Sequence, residues 1–240
     1  MNATTSFAAL NDEARGGQIA TRLNWLRAGV MGANDGIVST AGLVVGVAGA
    51  AVSDTALLVS GVAAMFAGAM SMAVGEYVSV SSQRDSQEAE LAVERAQLAR
   101  EPEAELEQLT SLIQGRGIDG DLAREVAEQL TERDALAAHA RLELGIDPDE
   151  LTSPWHAAWA SMIAFVFGAL VPLLAIVLTP RALAVQITGV SVVVALALTG
   201  SVSAHLGGAP KARAVFRTVG GGVAAMAITY AIGVLLGTQI

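Results

Sequence analysis

The sequence lacks cysteine and is poor in charged residues. No cysteine occurs among its 240 residues, which excludes a disulfide scaffold, a thiolate zinc site and a cysteine-held iron-sulfur cluster. Charged residues make up 15% of the chain, whereas soluble domains average about 25%. Because 53% of the residues are hydrophobic, we expect either a very large buried core or a chain that lies largely in lipid.

The few charges are unevenly distributed along the chain. Residues 85–150 contain 18 of the 23 acids and 6 of the 14 bases, a local charge of -12, whereas the remainder carries +3. The one dense charged segment is acidic and the bases are scattered, which argues against a nucleic-acid partner. The pattern indicates an acidic insert within an apolar frame.

Five apolar runs are long enough for a bilayer, which requires about 20 residues. Four have no Asp, Glu, Lys or Arg, and the first is interrupted only by Asp35. The runs are 28–52, 55–75, 157–180, 182–206 and 218–240. We expect an all-α integral membrane protein divided into an N-terminal segment (1–27), two spans (28–82), a cytosolic insert (83–154) and three spans (155–240).

Lysine and arginine predict the orientation, since positively charged loops stay on the cytosolic side. Thirteen of these residues fall on one side of the five spans, and Arg181 alone falls on the other. The N-terminus and the insert are therefore predicted to be cytosolic and the C-terminus to lie on the far side. No cleaved signal peptide is expected, because the first apolar run is too long and no basic segment opens the chain.

Ionisable residues within spans are costly and mark functional sites by default. A rise of 1.5 Å per residue places Asp35 roughly 10 Å, Met72 roughly 12 Å and Glu76 roughly 6 Å deep from the cytosolic side. A thioether beside carboxylates suits a borderline transition-metal cation, so these residues are predicted to line a pathway. Alternatively, Met72 serves packing alone, or Asn34–Gly36 forms a turn that places Asp35 at the interface.

The acidic insert is predicted to form three helices. The second span continues without a break toward Pro102, which either kinks this helix or begins another. A turn is expected at Gly115–Gly120, and further helical segments at 121–130 and 131–144, closed by Gly145. The small residues of the spans, glycine above all, predict close helix packing in lipid.

Carboxylates and an imidazole in the insert suggest metal binding. Glu90, Glu94, Gln97, Glu101 and Glu105 follow one helical stripe, and His139 and Glu143 are four residues apart. Such ligands on facing helices suit Fe²⁺, Mn²⁺ or Zn²⁺. The competing interpretation is a solvated acidic face.

The sequence resembles the vacuolar iron transporter (VIT) family. The resemblance is carried by Asn24–Arg27, Gly32–Val38, Ala69–Asp85 and Asp134–Ile146, and it extends over nearly the whole chain from Arg22. It implies a homodimer that moves Fe²⁺ out of the cytosol in exchange for protons, after a three-helix cytosolic domain has collected the metal. The membrane would be the cytoplasmic membrane in a bacterium or a vacuole-type membrane in a eukaryote.

The resemblance also assigns residues. Asp35 and Met72 would line the pathway, and the cytosolic ligands would be Glu94, Glu105, Glu143 and His139. This chain departs from eukaryotic members, which have glutamate where it has Gln97, Gln108 and Ala64. Glu76 is a substitute candidate for proton coupling.

Two functions other than transport are considered for a membrane protein with these metal ligands: a ferritin-like oxidase and a metal sensor or scaffold. A ferritin-like oxidase requires Glu-x-x-His on two helices, but Leu136, Ser153 and Val202 precede the three histidines by three residues. We therefore expect no enzyme activity. The remaining alternative is a membrane metal sensor or scaffold that binds metal in the insert and transports none.

Overall fold

The computed structural model describes the backbone of residues 3–50, 53–149 and 151–237, and side chains within these ranges from Leu26 onward. The helices are α1 (Ala3–Gly49), α2 (Asp54–Arg100), α3 (Pro102–Gln114), α4 (Gly120–His139), a π-helical turn (Ala140–Leu144), α5 (Pro154–Leu178), α6 (Arg181–Leu206) and α7 (Lys211–Gly237). The expected all-α class is confirmed.

Among the described residues, five helices are long and apolar enough to span a membrane: α1 from Leu26, α2, α5, α6 and α7. This number confirms the five predicted spans. Helix α7 begins at Lys211, seven residues before the predicted start of the fifth apolar run. The difference arises because an apolar run marks only the part of a helix that suits lipid, whereas the charged first turns of α7 are also helical. The predicted end of that run, at residues 238–240, lies outside the described residues.

Helix α1 is continuous through Asn34–Gly36, so the alternative of a turn at this position is wrong. Glycine allows α1 to pack closely on α5, since a Cβ atom on Gly36 would collide with the Phe165 carbonyl oxygen of α5. In return, Gly168 of α5 lies against the Ala33 carbonyl of α1. Small residues thus let the two backbones touch, as expected for helix packing in lipid.

The chain forms two compact units. The membrane unit comprises Leu23–Val78 and Pro154–Ile240, and the acidic unit comprises Ser79–Ser153 with the part of α1 up to Arg22. In the membrane unit, one buried cluster includes Val44, Phe165 and Leu173, and another joins Ile37 of α1 to Leu196 of α6. These clusters hold α1 against α5 and α6.

The acidic unit contains the end of α2, α3, α4 and the π-helical turn. Pro102 is the first residue of α3, so it begins a new helix rather than kinking α2. Helix α4 is interrupted at Asp134, whose φ of -167° and ψ of 95° are not helical. The Asp134 Oδ1 atom accepts a hydrogen bond of 2.9 Å from the Ala137 amide and caps the last helical segment. That segment therefore begins about four residues later than predicted, because this cap replaces the helical conformation at Asp134.

Candidate functional site

A cavity of about 210 Å³ lies among α1, α2 and α5 of the membrane unit, and Asp35 and Met72 both line it. The complete lining is Asp35, Ser39, Thr40, Leu43, Ala64, Gly68, Ser71, Met72 and Phe165. Each position follows from helix periodicity: Asp35, Ser39 and Leu43 are spaced by four on α1, as are Ala64, Gly68 and Met72 on α2. We call this space the Asp35–Met72 cavity.

The walls of the Asp35–Met72 cavity combine hard and soft donors in an otherwise apolar setting. Asp35 offers a carboxylate, Ser71 a hydroxyl and Met72 a thioether, while Leu43 and Phe165 complete the wall. The Ser39 hydroxyl is already engaged, because it donates a hydrogen bond of 2.5 Å to the Asp35 carbonyl oxygen. This donor set can bind a borderline divalent cation.

Glu76 lies one helical turn from Met72 and is 8% exposed. It is not among the residues that line the Asp35–Met72 cavity. The next residue, Tyr77, contacts Trp155 at the start of α5, with ring centroids 4.8 Å apart. Trp155 and Trp159 are exposed, and tryptophan is enriched at membrane–water interfaces.

A second constellation lies in the acidic unit, where three carboxylates surround one ring nitrogen of His139. The Nδ1 atom lies 3.1 Å from Glu94 Oε1, 3.3 Å from Glu143 Oε2 and 3.7 Å from Glu105 Oε2. One ligand atom each from Glu94, Glu105 and His139 fits within 4.8 Å of the others. We call Glu94, Glu105, His139 and Glu143 the acidic cluster.

Glu94, Glu105 and His139 of the acidic cluster are buried because they lie between two small cores, whereas Glu143 is exposed. Ala138 packs with Leu109 and Ile113 of α3, while Ala140 packs with Leu91 of α2. His139, between these two alanines, is consequently only 1% exposed. The π-helical turn that begins directly after His139 carries Glu143, and such turns are frequent at functional sites.

The cluster has more negative than positive character, and its polar atoms are incompletely paired. Burial raises the pKa of the Glu94 carboxyl; the positive charge of His139 opposes that shift, and Glu143 and Glu105 reinforce it. Within the described part of the chain, His139 Nε2 is buried without a hydrogen-bond partner, and Glu94 Oε1 has the ion-pair contact with His139 Nδ1 but no hydrogen bond. A divalent cation would neutralise the carboxylates and occupy these unused electron pairs.

The other predicted ligands of the insert occupy different positions. Gln97 and Glu101 are exposed, and Glu101 is the residue that precedes α3. Gln108 donates a hydrogen bond of 2.7 Å from Nε2 to Glu143 Oε1. Its amide therefore orients one carboxylate of the cluster, a role that sequence spacing could not reveal.

Sequence reasoning missed Thr40, Ser39 and Phe165 as cavity residues. Ser39 lies four residues after Asp35, a spacing that could have identified it. Phe165 comes from α5, and only the close α1–α5 contact at Gly36 brings it to the cavity. Thr40 resembles other threonines of the spans and had no distinguishing signal in the sequence.

Comparison with known proteins gives one consistent family. The family model described as "VIT family" matches residues 26–234. A "Vacuolar iron transporter" of Acanthamoeba castellanii is 45% identical over 95% of this chain and 85% of its own length. "Vacuolar iron transporter homolog 5" of Oryza sativa subsp. japonica is 40% identical over 93% of this chain and 84% of its own length. "Vacuolar iron transporter homolog 3" of Arabidopsis thaliana is 35% identical over 95% of this chain and 91% of its own length. The chain therefore belongs to the VIT family.

Proposed function

We propose that this protein is a transporter that moves Fe²⁺, with Mn²⁺ as a second substrate, out of the cytosol in exchange for protons. The observation that carries the proposal is the Asp35–Met72 cavity among helices suited to a membrane. Relatives named vacuolar iron transporters, at 35–45% identity, support iron as the substrate. On this proposal the protein is a carrier and catalyses no chemical conversion.

We assign the acidic cluster the task of capturing metal from the cytosol. Glu94, Glu105, Glu143 and His139 provide the carboxylate and imidazole ligands that suit Fe²⁺, Mn²⁺ or Zn²⁺. Gln108 holds Glu143, while Gln97 and Glu101 offer further oxygen ligands from exposed positions. Capture requires an insert and an N-terminus in the cytosol, the side that the distribution of lysine and arginine favours.

We propose that Asp35 and Met72 bind the metal ion in the pathway and that Glu76 carries the coupled proton. A carboxylate close to the membrane boundary can exchange protons with water while its neighbour one turn away contacts the ion pathway. The distance of one helical turn between Glu76 and Met72 supports this division of roles. A homodimer within the bilayer is part of the proposal, and the family resemblance is its basis.

Uptake into liposomes tests the proposal. Purified protein is reconstituted with a trapped metal-quenched dye, and Fe²⁺ is added with or without a pH gradient. We expect gradient-dependent uptake that Asp35→Asn abolishes. The matched control is Asp54→Asn, because Asp54 is an exposed carboxylate paired with Arg181 at 2.9 Å and does not line the Asp35–Met72 cavity. Wild-type protein that moves no metal would overturn the proposal.

The same preparation separates transport from a sensor or scaffold function. The buried acidic cluster is the observation that favours this second candidate, since it provides a metal site independent of any pathway. A sensor would bind Fe²⁺ at the acidic cluster and show no flux through the bilayer. A transporter would show both.

A further inference from the structure

Thr40 lines the Asp35–Met72 cavity, and its hydroxyl is a buried polar group without a hydrogen-bond partner among the described residues. Thr40 is 1% exposed and belongs to the lining of the cavity. Among the residues whose side chains the structure describes, none forms a hydrogen bond with its Oγ1 atom. Buried hydroxyls are normally hydrogen-bonded, so one without a partner beside a cavity is a candidate for binding what enters.

Three other threonines of the membrane helices contrast with Thr40, whereas the Thr188 hydroxyl is likewise without a partner among the described residues. Thr199, Thr218 and Thr229 each donate a hydrogen bond to the carbonyl oxygen four residues earlier, at 2.8, 2.9 and 2.9 Å. A threonine in a helix commonly satisfies its hydroxyl in this way. Even Ser39, the residue before Thr40, bonds to the backbone. The Thr40 Oγ1 atom is thus left free where its neighbours are engaged.

We propose that Thr40 Oγ1 is an oxygen ligand of the divalent cation in the Asp35–Met72 cavity. This inference rests on the proposed transport function and adds a fourth donor to the Asp35 carboxylate, the Ser71 hydroxyl and the Met72 thioether. A volume of about 210 Å³ leaves room for an ion with several waters, since a water occupies about 30 Å³. The ion would therefore keep part of its hydration shell.

The hydroxyl also gives the site a preference among metals. Oxygen ligands suit harder cations, whereas thioethers suit softer ones. With Thr40, oxygen donors outnumber the single sulfur, which favours Fe²⁺ and Mn²⁺. Without the hydroxyl, the thioether makes up a larger share of the donors, and the preference shifts toward a softer ion such as Cd²⁺.

Substitution of Thr40 in the full-length reconstituted protein tests this assignment. Thr40→Val keeps the shape of the side chain and removes the hydroxyl, and Thr40→Ser keeps the hydroxyl. The measured quantities are KM and maximal rate for Fe²⁺ uptake and for Cd²⁺ uptake. The matched control is Thr188→Val, because the Thr188 hydroxyl is equally buried and unpartnered in the described structure but does not line the cavity.

We expect Thr40→Val to raise the KM for Fe²⁺ about tenfold, as for the loss of one charge-assisted contact. The KM for Cd²⁺ should change less than twofold, and Thr40→Ser should restore the wild-type value for Fe²⁺. Thr188→Val should leave both values unchanged.

Three results would overturn the inference. The first is a Thr40→Val protein with the same KM for Fe²⁺ as Thr188→Val. The second is an equal rise for Fe²⁺ and Cd²⁺, which would indicate a packing defect, and the third is a Thr40→Ser protein as impaired as Thr40→Val. Each requires active wild-type protein, whereas inactive wild-type protein would overturn the transport proposal itself and this inference with it.

Discussion

The Asp35–Met72 cavity and the acidic cluster differ in how densely they place their ligands. The cavity has one carboxylate and one thioether, with Asp35 exposed and Met72 partly buried. The acidic cluster gathers three carboxylates within 3.7 Å of a single imidazole nitrogen. A conducting site has to bind an ion weakly enough to release it, whereas a capture site benefits from strong binding. On the proposed function, this difference in ligand density separates a transit site from a capture site.

After the complete loss of uptake expected for Asp35→Asn, the largest effect is expected from removal of the thioether. Met72→Leu keeps the apolar volume but deletes the soft donor, and we expect the KM for Fe²⁺ uptake to rise about 100-fold, equivalent to about 2.7 kcal/mol. Met226→Leu is the control, because Met226 is buried against Ile37 and Leu196 away from the cavity. An unchanged KM in Met72→Leu would show that the methionine serves packing alone.

Glu94→Gln is expected to weaken Fe²⁺ binding to the acidic cluster about 30-fold, since it replaces a charged ligand by a neutral one. Isothermal titration with the detergent-purified protein measures this affinity. Glu88→Gln on the same helix is the control, because Glu88 is an exposed partner of Arg84. Equal affinity in the two variants would contradict capture at Glu94.

Gly36→Ala tests whether the membrane unit depends on the close contact between α1 and α5. The new Cβ atom would collide with the Phe165 carbonyl oxygen, and overpacking of this kind costs about 1–3 kcal/mol. We expect a lower thermal unfolding midpoint in detergent. Gly29→Ala, where no atom lies within 4 Å of the added Cβ, should not lower it. Equal midpoints would mean that the helices can separate without penalty.

The smallest effect is expected from Gln108→Ala. It removes the hydrogen bond that orients Glu143 and should weaken Fe²⁺ binding about fivefold, as for loss of one hydrogen bond of about 1 kcal/mol. Gln129→Ala removes a surface contact with Glu125 and should have no effect. A loss as large as that of Glu94→Gln would instead make Gln108 a direct ligand.

The sequence was sufficient for features that follow from hydropathy and helix periodicity. Five spans, the unbroken α2 and the turn after Gln114 all follow from apolar runs and from the positions of proline and glycine. The shared depth of Asp35 and Met72 in antiparallel spans also predicts that they can meet. Both residues do line one cavity.

Features that depend on tertiary contact could not be predicted. The break at Asp134 depends on a side-chain cap, and helical periodicity continues across it. Gln108 appeared to be a weakened ligand, but its bond to Glu143 exists only because α3 packs beside the π-helical turn. The Thr40 hydroxyl has no partner because of the side-chain rotamer that Thr40 adopts, and the rotamer cannot be predicted from the residue type alone.

The most direct test of the division between transit and capture measures Fe²⁺ uptake and Fe²⁺ binding on the same preparation of Asp35→Asn. The account predicts that uptake driven by a pH gradient is abolished while the affinity of the acidic cluster equals that of the wild type. Wild-type uptake in Asp35→Asn would contradict the assignment of the Asp35–Met72 cavity as the ion pathway, and a loss of cluster affinity would contradict the independence of the two sites.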